Sequence, residues 1–102
     1  MSKDAFATPT IHMNGTGATM LVDGYEAASS ALQAFQDAFD RVEFNARDYY
    51  VQGPDAWSQA LDEREAVFSK IREIEGYLNA IRGSLCEQVE AREGLKSGGA
   101  RL

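Results

Sequence analysis

Apolar positions recur at three- and four-residue steps along most of this chain, and the two longest runs predict two helices. In the later run, Trp57, Leu61, Phe68, Ile71, Ile74, Leu78, Ile81 and Leu85 form one stripe of an amphipathic helix. Its predicted bounds are 54–92, about 58 Å at 1.5 Å per residue. Gly53 precedes Pro54, whose missing N–H is harmless at a first helical position, and Asp55 sets a negative charge against the positive helix end. The predicted stop is Gly94, with Lys96 and Ser97-Gly98-Gly99 beyond it.

In the earlier run, Leu21, Tyr25, Ala28, Leu32, Phe35, Phe39 and Val42 fall at steps of 4, 3, 4, 3, 4 and 3. That is a heptad-like seam over three repeats. Asp23, Glu26, Ser30, Gln33 and Asp37 hold the opposite face. The pattern predicts a helix over about 17–43, near 40 Å long, with Thr16 as its N-cap. Before it, Thr10-Ile11-His12-Met13 alternates as a strand does, and the turn dipeptide Asn14-Gly15 closes the run. A strand so short does not stand alone, so it must pair with a second copy or lie on the helices.

Asn45 and Gly53-Pro54 interrupt the pattern, so the second helix returns antiparallel to the first. Its last third, around Ile81, Leu85 and Val89, is expected to overhang, with only the N-terminal segment for company. Two helices do not enclose a core, and an apolar overhang in water is an association site. The expected fold class is mainly α: an antiparallel helical hairpin with a short N-terminal β-strand, assembling into a helical bundle oligomer, most simply a dimer. Small-residue lines, Gly24, Ala28, Ala31 and Gly76, Ala80, Gly83, agree with close backbone approach or with tolerated helix irregularity. An interior glycine costs about 1 kcal/mol relative to alanine. Residues 1–9 read as a flexible N-terminus, 10–93 as the hairpin domain and 94–102 as a disordered tail.

Composition narrows the classes. Ten Lys and Arg against sixteen Asp and Glu leave a net charge of -6, which argues against a duplex nucleic-acid binder that needs a cationic face. It leaves room for a small anion held by one or two arginines. The lone Cys86 has no internal disulfide partner, which points to a reducing compartment. No apolar run approaches the roughly 20 residues of a membrane span, and Met1-Ser2-Lys3-Asp4 leads into no signal-peptide core. The expected location is cytoplasmic.

Two clusters carry candidate ligand-binding residues. In the connection 45–53, Arg47 offers a planar fork for phosphate, Tyr49 and Tyr50 offer faces for a stacked base, and Asn45 and Gln52 offer donor and acceptor edges. The same residues admit a structural reading, with Asn45 capping a helix, Arg47 paired to Asp48 or a helix end, and the tyrosines plugging the bundle. His12, Asn14 and Thr16 form the other cluster, ahead of a helix N-terminus whose free N–H groups favour anions. The two clusters sit at opposite ends of the first helix, so a shared ligand requires a second subunit. One histidine without metal-ligand spacing predicts no metal and no cofactor. With no nucleophile near it, no catalytic residue and no enzyme are expected.

The runs Thr10-Ile11-His12-Met13-Asn14-Gly15-Thr16 and Asn45-Ala46-Arg47-Asp48-Tyr49-Tyr50-Val51-Gln52-Gly53 resemble a family of small proteins from bacteriophage and prophage genomes, over about residues 10 to 90. In size and expected assembly the chain also resembles phage-encoded oligomers that act as sponges for the nucleotide messengers of bacterial immunity. The resemblance implies a non-enzymatic host-cytoplasm protein that sequesters a nucleotide-like small molecule. Two other readings stand beside it: an acidic inhibitor that binds a host defence or nucleic-acid enzyme, and a structural or assembly protein of the phage.

Overall fold

The structure is a computed structural model that describes residues 6–101, with side chains through Glu93. It is mainly helical. Helix α1 spans Ala18–Asp40 and helix α2 spans Ala56–Arg101, joined by two short 3₁₀ turns at Ala46–Asp48 and Tyr50–Gln52. The expected breaks are where the chain bends. Gly53 takes a φ of 130°, the left-handed side that glycine alone enters without strain. Pro54 and Asp55 then turn into α2, and Gln59 donates the helical bond to the Asp55 carbonyl at 3.0 Å.

At 46 residues α2 is about 69 Å long, and it accounts for the 73 Å long axis of the molecule. Its backbone stays helical through Gly94 and Ser97-Gly98-Gly99, past the expected stop and into the stretch expected to be disordered. Glycine permits a helix end without compelling one, and Leu95, Lys96 and Ala100 are good helix formers. Residues 1–5 of the expected flexible N-terminus, and Leu102 of the expected tail, lie outside the described residues.

The helices form an antiparallel hairpin. Phe39 meets Phe68 with ring centroids 5.3 Å apart, Tyr25 reaches Tyr77, and Ala18 shares a cleft with Val89. A tight turn would have set the end of α1 against the start of α2. Instead the connection folds under the first turns of α2. Phe44 and Tyr49 pack on Trp57 with centroids 4.8 and 5.5 Å away. This slides α1 about 15 Å further along α2.

The slide overturns the expected overhang. Ile81 and Leu85 are wholly buried, at 0% exposure, and with Ile71 and Ala60 they are the buried apolar core. They lie where α2 has a neighbour on each side. The first turns of α1 run along one. Along the other runs the segment 6–11, whose Phe6 ring meets Tyr77 edge-on at 5.1 Å. Residues 6–9 are thus docked on α2, although they carry no regular secondary structure.

The strand expected at 10–13 is not formed among the described residues: Thr10 to His12 carry no regular structure and Met13 opens a turn. Its hydrogen bonds are made by one side chain. Gln88 Oε1 accepts from Ile11 N–H at 2.8 Å, and Gln88 Nε2 donates to the Pro9 carbonyl at 2.9 Å. A side-chain amide has the donor and acceptor of a peptide, so it stands in for the missing neighbouring strand.

The seam predicted on α1 is split. Leu21, Tyr25, Leu32 and Phe39 are half-buried, but Ala28 and Phe35 are exposed, Phe35 stacking on Phe39 at 5.8 Å, and Val42 lies exposed past the helix end. The helix is rotated so that Ser29 and Gln36 turn inward instead. Likewise Leu61 and Ile74 of the α2 stripe remain exposed, at 45% and 50%.

Candidate functional site

The clusters flagged in the sequence lie at opposite ends of α1, about 35 Å apart along a 23-residue helix. At its C-terminal end the connection is organised by Arg64. The guanidinium lies 4.4 Å from the centroids of Phe39 and Phe44 and 5.3 Å from that of Phe68. It also donates to the Phe39 carbonyl at 3.4 Å. That carbonyl, in the last turn of α1, also accepts the Val42 N–H at 3.1 Å, so Arg64 adds a second donor to it. Arg64 is therefore occupied by structure.

Tyr49 belongs to the same aromatic group. Its ring is half-buried, 5.7 Å from Phe44 and 5.5 Å from Trp57. It plugs the hairpin end and offers no free face pair for stacking. Tyr50 differs: it is 60% exposed. Arg47 and Gln52 are exposed as well. Asn45 donates weakly to Glu43 Oε1 at 3.3 Å. It is not the cap of α1, since Arg41 takes that position.

At the N-terminal end the chain makes a cleft of about 370 Å³ between the turn after Ile11 and the far part of α2. His12, Thr16, Val89, Arg92 and Glu93 line it, together with the first residues of α1. The turn closes with Gly15 N–H donating to the His12 carbonyl at 3.1 Å. The imidazole lies close over the turn: a Cβ on Gly15 would come 2.7 Å from His12 Nε2, and the exposed ring would have to swing aside. Asn14 stands exposed in the turn, outside the lining.

Thr16 does not cap α1. Gly17 holds the N-cap position with no side-chain hydrogen bond, and the first turn holds no acidic residue. The first helical bond runs from Leu21 N–H to the Gly17 carbonyl. The N–H groups before it have no intrahelical acceptor, and the helix dipole adds a partial positive charge there. Arg92 makes no ion pair among the described residues, where Arg72 to Glu65 at 3.5 Å is the one pair. A cleft with free amides, a guanidinium and an imidazole can hold a phosphate or carboxylate; Glu93 beside it tempers the field.

The sequence pattern places Val89 on the apolar stripe but does not make Val89 or Arg92 a candidate binding residue. Their signal was present: they continue the Ile81, Leu85 stripe at three- and four-residue steps, and an arginine there meets whatever covers the stripe. Among the described residues no group of His, Cys, Asp and Glu is placed to hold a metal ion, and no helix is long and apolar enough to cross a membrane. No protein-family model, curated protein or solved structure matches this chain at a significant level.

Proposed function

We propose that this protein binds a small anionic, nucleotide-derived molecule without transforming it, as a phage sponge for a signalling nucleotide would. The observation that carries the reading is the cleft at the start of α1, where His12, Thr16 and Arg92 meet an uncapped helix end. Arg92 would hold phosphate as a charged fork, and the free amides would share its oxygens. Within one chain the cleft has no aromatic platform for a base. The exposed pair Arg47 and Tyr50 lies at the other end of α1, so these residues, with Asn45 and Gln52, take part only when a neighbouring copy supplies them. The homo-oligomer is accordingly part of the proposal.

Calorimetric titration with cyclic nucleotides and ADP-ribose derivatives tests it. Binding that weakens at least tenfold in Arg92→Ala supports the cleft. Heatless titration across that panel, or affinity unmoved by Arg92→Ala and Arg47→Ala together, removes it.

A second reading has its own observation. Asp23, Glu26, Asp37 and Asp40 form an exposed acidic flank on α1, and the chain carries six excess negative charges. Such a flank suits a basic groove on a host enzyme. Salt-sensitive capture of one host protein, with no small molecule bound, favours it.

A further inference from the structure

Phe35 stacks on Phe39 at 5.8 Å yet is half exposed, at 50%, on a helix that turns the hydroxyl of Ser29 inward with no hydrogen-bond partner. For a hairpin standing alone this is unfavourable twice over: an aromatic ring stays in water while an unpaired hydroxyl leaves it. The same side of α1 carries Met20, 72% exposed, and Val42, 54% exposed, follows just past the helix end. Between them, apart from Phe35, that side consists of glycine and alanine from Gly24 to Ala38 and bears no charge.

We propose that α1 of a second copy covers this side, running antiparallel about a two-fold axis near Ala31. The occupant is argued from self-complementarity. Under that symmetry Phe35 falls opposite Ala27 and Ala28 of the second copy, where small side chains leave room for a ring, and the fit occurs twice. At the rim Asp23 comes beside Arg41 of the second copy, an opposite charge on each edge, and Arg41 has no ion pair among the described residues. Gly24 meets nothing within 4 Å where a Cβ would stand, so a second backbone can approach closely. An interface in which the same patch serves both partners is the rule for two-fold dimers.

The register has a consequence for the cleft. Antiparallel α1 helices lay the connection of one copy, with Arg47 and Tyr50, beside His12, Thr16 and Arg92 of the other. The dimer itself does not rest on any ligand being bound.

The test uses the full chain with Cys86→Ser as background. Ala31→Cys sits at the proposed axis, where two Cα atoms within about 7 Å permit a disulfide. Glu26→Cys sits on another side of α1. Mild oxidation is expected to cross-link the first nearly completely and the second hardly at all, while the parent sediments as two chains. Asp23→Arg alone and Arg41→Asp alone are expected to weaken dimerisation about tenfold, and the two together to restore it. A single-chain mass at the highest attainable concentration overturns the proposal. So does equal cross-linking at both cysteines, or a double charge swap no better than the singles. A confirmed dimer that binds no nucleotide leaves this inference standing and removes the ligand reading alone.

Discussion

Gln88 accepts the backbone N–H of Ile11 at 2.8 Å across 77 residues of sequence, and the same amide donates to the Pro9 carbonyl. One side chain thereby ties the N-terminal segment over the buried part of α2 and shapes one wall of the cleft.

Loss of that amide should loosen the segment. Two part-buried hydrogen bonds at about 0.5–1.5 kcal/mol each give about 1–3 kcal/mol for Gln88→Ala. Gln88→Glu should recover little, because a carboxylate faces the Pro9 carbonyl with an acceptor. Denaturant unfolding measures the cost, and amide exchange at Ile11 should accelerate in both variants. Unchanged exchange would contradict the tie.

The core is thin, so its two sealed residues matter most. Ile81→Ala and Leu85→Ala should each cost about 2–5 kcal/mol, a large part of the stability of a domain this small. Leu61→Ala, at a position 45% exposed, should cost less than half as much. Thermal melts of the three variants rank them.

The adjacent tyrosines should separate stability from binding. Tyr49→Ala removes a half-buried ring that packs on both Phe44 and Trp57 and should cost about 1–3 kcal/mol, below the figure for a fully buried aromatic. Tyr50→Ala should stay within about 0.5 kcal/mol of the parent and weaken nucleotide binding instead. Melting curves and titrations on both variants decide the assignment.

Alkali should loosen the middle of the hairpin. A hydrogen bond to Tyr77 holds the Tyr25 phenol above its ordinary value of 10.0, with burial and the neighbouring phenol's charge adding to it. The folded state thus keeps the proton that the unfolded chain gives up near pH 10. The linked stability is complete below that pH and is lost as pH rises through the raised folded value. Tyr25→Phe should flatten this alkaline decline in a pH series of unfolding midpoints.

Much of the fold was legible because helix signals are local. The three- and four-residue period of α1 and α2, and the punctuation by Asn45 and Gly53-Pro54, need only neighbouring residues to act. The rotation of α1 was not legible. The seam from Leu21 to Val42 marks apolar positions but cannot say which neighbour each one meets, and the chain spends Leu21, Tyr25, Leu32 and Phe39 on α2 while leaving Phe35 outside. For the site, His12 and Thr16 were visible as a turn ahead of a helix. Arg92 was hidden because a position on a long helix acquires its role only from what folds against it.

The sequence by itself determined that this chain is two amphipathic helices in a hairpin, since propensity and periodicity are written residue by residue. Only the tertiary structure decided the register between them, the burial of Ile81 and Leu85, the replacement of a strand partner by Gln88, and the meeting of Arg92 with the start of α1. Each of these depends on contacts between residues tens of positions apart, whose geometry is set by the packing of the whole chain.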